Sequence, residues 1–332
     1  MLNSELHLSH KVFDTSPQEE ALRDGYGKGL LEMGSEKNVV VLSADLEEST
    51  RTHWFAKMYP DRFFEVGVAE QNMATIAAGL GISGKIPFIN SYATFSPGRN
   101  WEQIRTTIAY NDSNVKIAGH HAGISVGPDG ATHQSIEDIA TMRAMPNMKV
   151  IVPADAYEAQ KAVGAMVRMW GPMYIRLARE KTPLITTKET SFTIGKAYPV
   201  WISKRKNLDV CIIAAGPLLH NALIAARELE KEEKIGSVVI NSHTIKPLDI
   251  KTISTWVKKT GAVVTVEEHS VIGGLGSAVS GLLGTTQPAP IELVGVQDIF
   301  GQSGTVHELW CAYHLDVNSI KHAAQKAIKR KK

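Results

Sequence analysis

Short apolar runs rich in β-branched residues alternate along this chain with longer segments whose apolar residues recur at helical spacing. Such runs are typical of buried strands, and the repeated strand–helix order predicts parallel strands with helices on both faces. Up to residue 180 we predict strands at 38–43, 63–66, 86–91, 115–119, 150–153 and 173–177, and helices at 16–33, 71–82, 101–110 and 155–170.

The alternation is interrupted between residues 181 and 206. That stretch is polar, rich in Thr and Lys, and contains Pro183 and Pro199, which is typical of a linker. Strands at 210–214, 237–240 and 262–267 and helices at 217–232, 248–260 and 274–283 follow it. We therefore predict an α/β fold with two domains, 10–182 and 207–325, each a mostly parallel sheet flanked by helices, joined by a linker at 183–206.

Charge and cysteine usage exclude several classes of protein. The 332 residues include 36 basic and 34 acidic ones, a net charge of +2, so we predict neither a nucleic-acid partner nor a membrane partner. No apolar stretch of about 18 residues occurs, and the polar segment 1–11 lacks the apolar part of a signal peptide. Cys211 and Cys311 lie far apart, which disfavours a disulfide framework or a zinc site and suits a reducing cytoplasm.

Glu70 lies where the strand-like FFEV segment meets the helix predicted from residue 71, among small apolar residues. A carboxylate in that position is poorly solvated, which raises its proton affinity and suits it to share a proton with a bound heterocycle. The alternative is that Glu70 only caps the helix, because a negative charge stabilises a helix N-terminus.

Residues 119–134, GHHAGISVGPDGATHQ, form a glycine-rich loop after a predicted strand. Loops at the carboxyl ends of parallel strands build ligand sites. This loop contains His120, His121, Asp129 and His133, which suit hydrogen bonding to hydroxyls or a phosphate. We predict no metal site, because no helix holds a pair of these histidines at a fixed spacing. Each histidine alone is equally explained as a satisfied core or surface residue.

Two further segments place aromatic and cationic side chains near predicted strand ends. Tyr92, Phe95 and Trp101 crowd after the strand at 86–91, where an aromatic ring stacks on a flat ligand or packs against the core. Arg176 and Arg179 leave the strand at 173–177, where a guanidinium clamps a phosphate or forms a salt bridge.

A glycine-rich turn occurs in the second predicted domain, in VEEHSVIGGLG at 266–276. Its glycines partly match a dinucleotide-binding turn, but the full GxGxxG pattern is absent and no acidic partner follows at the required distance. We prefer to interpret these glycines as allowing close packing of a helix.

In their order and wording, these segments resemble the C-terminal half of transketolase. The segments SADLEES, VGVAEQNM, SYATF, VGPDGATHQ, MPNMKVIVPAD and VTVEEHSVIGGLG lie within 21–315 and cover nearly the whole chain. The resemblance is to split transketolases, in which two genes encode what other members carry on one chain. It implies a thiamine-diphosphate pyrimidine-binding domain, then a transketolase C-terminal domain. The implied activity is transfer of a two-carbon ketol unit between phosphosugars.

The resemblance also implies roles for individual residues. Glu70 would contact the aminopyrimidine ring and share a proton with it, which promotes the imino form that activates the cofactor. His133 would face the reacting carbon of the donor ketose, as the second catalytic residue. Phe95 would stack on the ring, with Asp45 and Leu46 beside the cofactor. The implied substrate-binding residues are Arg23, Ser49, His121, Asp129, His133 and Arg179.

The chain departs from the family pattern in two places. After Phe95 it has Ser96-Pro97-Gly98-Arg99 in place of further aromatics, which leaves the ring packing and the role of Trp101 open. It also lacks the GDG motif that holds the diphosphate and its divalent cation in this family. The resemblance thus implies that an N-terminal partner subunit carrying GDG holds Mg²⁺ or Ca²⁺. The implied assembly is α2β2, with a homodimer contact through this chain.

Four alternatives stay open. A deoxyxylulose-phosphate synthase uses related motifs but keeps both halves on one chain. The β subunit of a 2-oxo acid dehydrogenase is not expected to combine the GATHQ histidine with phosphate-binding arginines. A transketolase for a branched or unusual sugar phosphate would keep both features. A non-catalytic nucleotide-binding or scaffold protein would have lost at least one of Glu70, Phe95 and His133.

Overall fold

The computed structural model describes residues 1–331, with strands and helices alternating along most of the chain. The strands are β1 (Glu19–Ala21), β2 (Val39–Ser43), β3 (Phe63–Glu65), β4 (Ile86–Tyr92), β5 (Lys116–His120), β6 (Lys149–Ile151), β7 (Met173–Arg176), β8 (Lys181–Pro183), β9 (Tyr198–Ile202), β10 (Val210–Ala214), β11 (Ser237–Asn241), β12 (Thr244–Lys246), β13 (Val263–Ser270) and β14 (Ile291–Val296). The α-helices are α1 (Leu22–Met33), α2 (Glu47–Thr50), α3 (His53–Met58), α4 (Glu70–Ile82), α5 (Trp101–Gln103), α6 (Asp138–Ala144), α7 (Ala156–Val167), α8 (Leu219–Glu232), α9 (Ile250–Thr260), α10 (Leu275–Thr286), α11 (Val306–Ala312) and α12 (Val317–Lys329).

The first sheet of the described chain has seven strands in the order β12–β6–β7–β5–β4–β2–β3. Every neighbouring pair is parallel except β12 and β6. The strands predicted in this part of the chain are confirmed. Apolar runs such as VVVLS in β2 form strands because they are buried along their whole length between covering helices. The carboxyl ends of β2, β4, β5 and β7 therefore meet at one edge of the sheet.

The second sheet has the order β14–β13–β10–β11–β9, and its neighbours are parallel except β11 and β9. The predicted α/β class with two mostly parallel sheets is thus confirmed. Three strands of the two sheets depart from the prediction: β14 has no predicted counterpart, and two short strands lie where none is expected. β9 lies inside the segment 183–206 that we expected to be only a linker, and β12 follows β11 in the chain yet pairs with β6 of the first sheet. Pairing with an existing sheet stabilises both strands, although their own sequences give little signal.

Two predicted helices also differ from the structure. The helix expected at 16–33 begins only at Leu22, because Glu19–Ala21 pairs antiparallel with Lys181–Pro183 as β1 and β8. The helix expected at 101–110 is α-helical only in α5 and continues as a π-helical segment, Ile104–Ala109. The predicted Asp155 cap is confirmed, since its side chain accepts the Glu158 N–H at 3.0 Å at the start of α7.

One apolar core extends from the first sheet to the second. It contains Ile89 and Met142 from one predicted domain, and Ile213 and Val263 from the other. Because burial of apolar surface stabilises the folded state, the two parts are held together by a shared core. No helix in the described part of the chain is long and apolar enough to cross a bilayer.

Helices α1 and α7 approach so closely that Gly25 lies directly against the backbone carbonyl of Ala156. We predict that Gly25→Ala lowers the free energy of unfolding by about 2 kcal/mol, because the added methyl group clashes with backbone atoms that have no room to move. Urea titration of the purified chain measures this loss.

Gly79→Ala is the matched control, because Gly79 also lies in a helix but no atom lies within 4 Å of the methyl group that alanine would add. Alanine is the better helix former, so this variant should be more stable by roughly 1 kcal/mol or less. Destabilisation of equal size in both variants would contradict the close α1–α7 contact.

Candidate active site

The residues singled out from the sequence gather at the carboxyl edge of the first sheet. Ser43 at the end of β2 pairs with Asn90 of β4, and Tyr92 at the end of β4 pairs with His120 of β5. The segments that follow these strands therefore face one another across this edge. Open α/β sheets bind ligands in this position.

Asp45 and Leu46 follow β2 in a sharp turn. Asp45 has a φ of 58°, and its N–H donates to Glu65 Oε1 at 2.7 Å. Leu46 precedes α2, which carries Ser49, and the Ser49 carbonyl accepts a hydrogen bond from Arg23 Nη1 at 3.2 Å. The turn thus connects the predicted cofactor-binding residues with two of the predicted phosphate-binding residues.

Glu70 is the first residue of α4, and its side chain is 1% exposed. Its Oε2 accepts a hydrogen bond from Arg99 Nη1 at 2.7 Å, and its Oε1 accepts one from Ser91 Oγ at 3.3 Å. The expected poor solvation of this carboxylate is confirmed. Its oxygens bond to side chains outside the helix, so Glu70 does more than cap α4. No sequence motif indicates Arg99 as its partner, because the contact depends on the fold.

A row of aromatic rings extends from this carboxylate. The Arg99 guanidinium lies 4.8 Å from the ring centre of Phe95, whose ring is nearly parallel to that of Tyr92, with centroids 6.1 Å apart. Tyr92 in turn stacks on His121 at 3.9 Å, and the His133 ring meets Phe95 edge-on at 5.6 Å. The row brings Glu70, Phe95, His121 and His133 into one region, as predicted. Trp101 does not belong to it; its side chain is 40% exposed at the start of α5.

His120 and His121 are both buried. Burial, together with the nearby Arg23, lowers the pKa of His120 to about 3. Burial also lowers the pKa of His121 to about 2, aided by His120 and by the positive charges of Arg23, Arg179 and Arg51. Both imidazoles are therefore neutral near pH 7, and each offers one N–H donor and one acceptor nitrogen.

A cavity of about 590 Å³ is lined by Arg23, Arg51 and Arg179, the same three arginines whose charges help to lower the pKa of His121. The β1–β8 pair builds this cavity because it holds Ala21, two residues before Arg23, opposite Lys181, two residues after Arg179. Three guanidinium groups around one cavity suit a phosphate or another anion.

Carboxylates and carbonyls orient these guanidinium groups. Arg51 Nε donates to Asp24 Oδ1 at 2.6 Å, and Arg51 Nη1 donates to the Glu48 carbonyl at 2.8 Å. Arg179 Nη1 donates to the Val126 carbonyl at 2.8 Å and lies 3.7 Å from Asp129 Oδ1. The structure thus places Asp129 beside Arg179. It also adds Arg51, which no motif in the sequence indicated.

The sequence left two roles open for Arg176, clamping a phosphate or forming a salt bridge. In the structure Arg176 is buried and forms a salt bridge. Its Nε donates to Asp138 Oδ2 at 2.8 Å, and the Tyr174 hydroxyl donates to the same carboxylate oxygen at 2.6 Å. Arg176 therefore supports the packing beneath the site. Within residues 1–331, no group of three or more His, Cys, Asp or Glu side chains is placed to hold a metal ion.

Comparison with protein families gives two matches. Residues 19–184 match the transketolase pyrimidine-binding domain, and residues 200–320 match the transketolase C-terminal domain. Together the two matches include the first sheet, the second sheet except the first two residues of β9, and every candidate site residue.

Individual proteins are similar over the same range. A Methanocaldococcus jannaschii protein designated a transketolase C-terminal section is 44% identical over 94% of this chain and 97% of its own length. A 6-deoxy-6-sulfo-D-fructose transketolase subunit of a Clostridium species is 40% identical over 97% of this chain and 99% of its own. A solved structure of a split gene transketolase, described as an inactive β4 tetramer, aligns with a TM-score of 0.86 and 43% identity, over 95% of this chain and 100% of that one.

The low histidine pKa values predict that acid destabilises the fold. A histidine in the unfolded chain has a pKa near 6.5, whereas burial holds those of His120 and His121 at about 3 and about 2. Below about pH 6.5 the unfolded state therefore binds protons that the folded state does not. The free energy of unfolding should fall by about 1.4 kcal/mol per pH unit for each such histidine.

Urea titrations between about pH 6 and pH 4 measure this slope. In His121→Asn, the free energy of unfolding should fall less steeply with decreasing pH than in the wild-type chain, because one of the two buried histidines is gone. An unchanged slope in that variant would contradict a neutral, buried His121.

Proposed function

The chain belongs to the transketolase family as a C-terminal subunit of the split type, and we propose that it transfers a two-carbon ketol unit from a ketose phosphate to an aldose phosphate. The observation that carries this proposal is the buried Glu70 carboxylate beside the Phe95–Tyr92–His121 ring row, together with a cavity lined by three arginines whose charges act on His121. A proton-sharing carboxylate, flat ring surfaces and an anion site are what chemistry on a phosphosugar at a heterocyclic cofactor requires.

The described residues fit the ring end of thiamine diphosphate. Glu70 presents a buried carboxylate, Phe95 offers a flat aromatic surface close to it, and Asp45 and Leu46 lie on the turn at the same sheet edge. When bound, thiamine diphosphate supplies a nucleophilic carbon that accepts the two-carbon unit. The diphosphate and its Mg²⁺ or Ca²⁺ would be held by an N-terminal partner subunit, because GDG is absent from this sequence.

This chain's own residues would hold protons and position the sugar. Glu70 shares a proton with a ring nitrogen of the cofactor, while Arg99 and Ser91 keep its carboxylate in place. His133 hydrogen-bonds to a sugar hydroxyl near the reacting carbon, and Asp129 binds a further hydroxyl. Arg23 and Arg179, with Ser49 and neutral His121, fix the phosphate at the far end, so the sugar spans from the arginine cavity to the ring row.

Arg51 favours a second candidate substrate class within the same reaction. It adds a third guanidinium to the cavity, and a relative 40% identical to this chain is named as a transketolase subunit for a sulfonated fructose. A transketolase for an unusual anionic sugar would use the same arrangement, with the anion in the cavity and the carbonyl near Glu70.

We further propose that the active assembly is α2β2, with β subunits in contact with each other, and that it works in the cytoplasm. The similar split gene transketolase, described as an inactive β4 tetramer, supports self-association of such chains and a need for another subunit. The near-neutral charge of +2 is consistent with a protein that binds neither nucleic acid nor membrane.

We predict that the purified chain has negligible transketolase activity alone and gains it when mixed with an N-terminal transketolase section carrying GDG. A coupled assay with a ketose phosphate donor measures the gain, and size-exclusion chromatography measures association. Glu70→Gln should associate normally but lower turnover by about 10²- to 10⁴-fold, because the amide cannot share the proton. Full activity of the chain alone, or near-normal turnover of Glu70→Gln, would contradict this assignment.

We also predict that Arg179→Ala raises KM for phosphorylated sugars by about 10- to 100-fold, the loss expected for a charge-assisted hydrogen bond. Arg51→Ala should act in the same direction but less, since Asp24 and Glu48 already engage part of its guanidinium. Steady-state kinetics with phosphorylated and unphosphorylated donors separate the effect on the phosphate from a general loss. Arg205→Ala is the control, because Arg205 is exposed and does not line the cavity. Equal effects of Arg179→Ala on both donor types would argue against phosphate binding there.

A further inference from the structure

The glycine-rich turn of the second domain begins next to a buried carboxylate that the proposed chemistry does not use. Glu268 lies near the end of β13 and is 2% exposed. Its Oε1 points out of the second domain and accepts a hydrogen bond from the backbone N–H of Ser125. Ser125 lies in the loop between His121 and His133, so Glu268 joins the second domain to the sugar-binding loop.

The loop is shaped to receive this carboxylate. Gly123 has a φ of 85°, and a methyl group added to it would collide with Glu268 Oε1. The Glu268 backbone is itself anchored, because its carbonyl accepts a hydrogen bond from Arg176 Nη2 at 2.9 Å and Arg176 is paired with Asp138. The carboxylate is therefore held from behind and faces a backbone that leaves room for it.

A second contact holds the other end of the same loop. Gln134 Nε2 donates to the Gln302 carbonyl at 2.9 Å and to the Ile124 carbonyl at 3.0 Å. Between the two anchors lie the Val126 carbonyl and Asp129, both of which contact the Arg179 guanidinium. Any displacement of the loop would therefore move both the histidines at its ends and the partners of Arg179.

We propose that Glu268 is a positioning residue through which the C-terminal domain holds the loop from His121 to His133 in its substrate-binding shape. This inference rests on the proposed transketolase function, which it deepens by giving the second domain a role in the site. The proposed role depends on the bond to Ser125 rather than on the charge, so an uncharged acceptor of the same reach should preserve it. Burial raises the pKa of Glu268, while the nearby Arg176 acts in the opposite direction.

Two conservative variants of Glu268 separate the effect of side-chain length from the effect of the negative charge. Glu268→Asp keeps the charge but is one methylene too short to accept the Ser125 N–H, whereas Glu268→Gln keeps an oxygen at the same reach. In the reconstituted complex, Glu268→Asp should lower kcat/KM for phosphosugars by about tenfold or more. The concentration of cofactor that half-saturates Glu268→Asp should be unchanged. The kcat/KM of Glu268→Gln should stay within about threefold of the wild-type value.

Glu267 provides the matched control. It is equally buried at 2% exposure and also accepts backbone hydrogen bonds, from Leu275 and Gly276 at 2.7 Å each, but these lie wholly within the second domain at the start of α10. Glu267→Asp should lower the melting temperature while leaving kcat/KM per folded active site unchanged. A purely structural role for Glu268 would make the two Asp variants behave alike.

Hydrogen exchange of the purified chain, without any partner, gives a readout that does not need activity. In Glu268→Asp the amides of residues 123–127 should exchange faster, whereas in Glu267→Asp and Glu268→Gln they should not. Unchanged exchange in Glu268→Asp would overturn the anchor, and faster exchange with wild-type kinetics would overturn its role in substrate binding. If the wild-type complex lacks transketolase activity, the proposed function fails, and the exchange result still decides whether Glu268 anchors the loop.

Discussion

Parallel pairing of β2, β4, β5 and β7 is the constraint on which the rest of the site depends. In a parallel sheet the carboxyl ends of neighbouring strands lie side by side, so loops far apart in the sequence meet at one edge. Here those loops carry Asp45, the Phe95 segment, the His121–His133 loop and Arg179. β2, β5 and β7 are buried along their whole length and β4 over its five central residues, which prevents the strands from sliding in register and so keeps the loops in a constant relation.

Charge balance within the site follows from the same geometry. The Glu70 carboxylate is removed from water but is paired with Arg99. In the cavity, Arg51 pairs with Asp24, Arg179 lies near Asp129 and Glu180, and Arg23 donates to the Ser49 carbonyl. The neutral His121 between these two groups adds no further positive charge. An anion that enters the cavity therefore meets guanidinium groups whose positions are already set, so little reorganisation is needed on binding.

The strong periodic segments could be predicted from the sequence because a buried strand or an amphipathic helix leaves a pattern in its own residues. The class, the main strands and most helices follow from that pattern, whereas the expectation that Glu70, Phe95, His121 and His133 serve one site came from the family resemblance. β12 and β1 could not be predicted, since three residues such as Thr244–Lys246 show no period and form a strand only where a partner edge is available. The roles of Arg99, Arg51 and Glu268 could not be predicted for a related reason. Their importance lies in a partner 27 or more residues away, for example Glu70 for Arg99 at a separation of 29.

The strand β12 also limits how this chain can be divided. It comes from the second half of the chain but covers the outer edge of β6, whose backbone N–H and C=O groups would otherwise be open to pairing with another molecule. A cut between the two halves, or exchange of the second half for that of a distant relative, would remove this strand from β6 and would also disrupt the apolar core that the two sheets share. The two halves are therefore not interchangeable modules but interlocked parts, and inheritance or engineering of this subunit has to treat them as one piece.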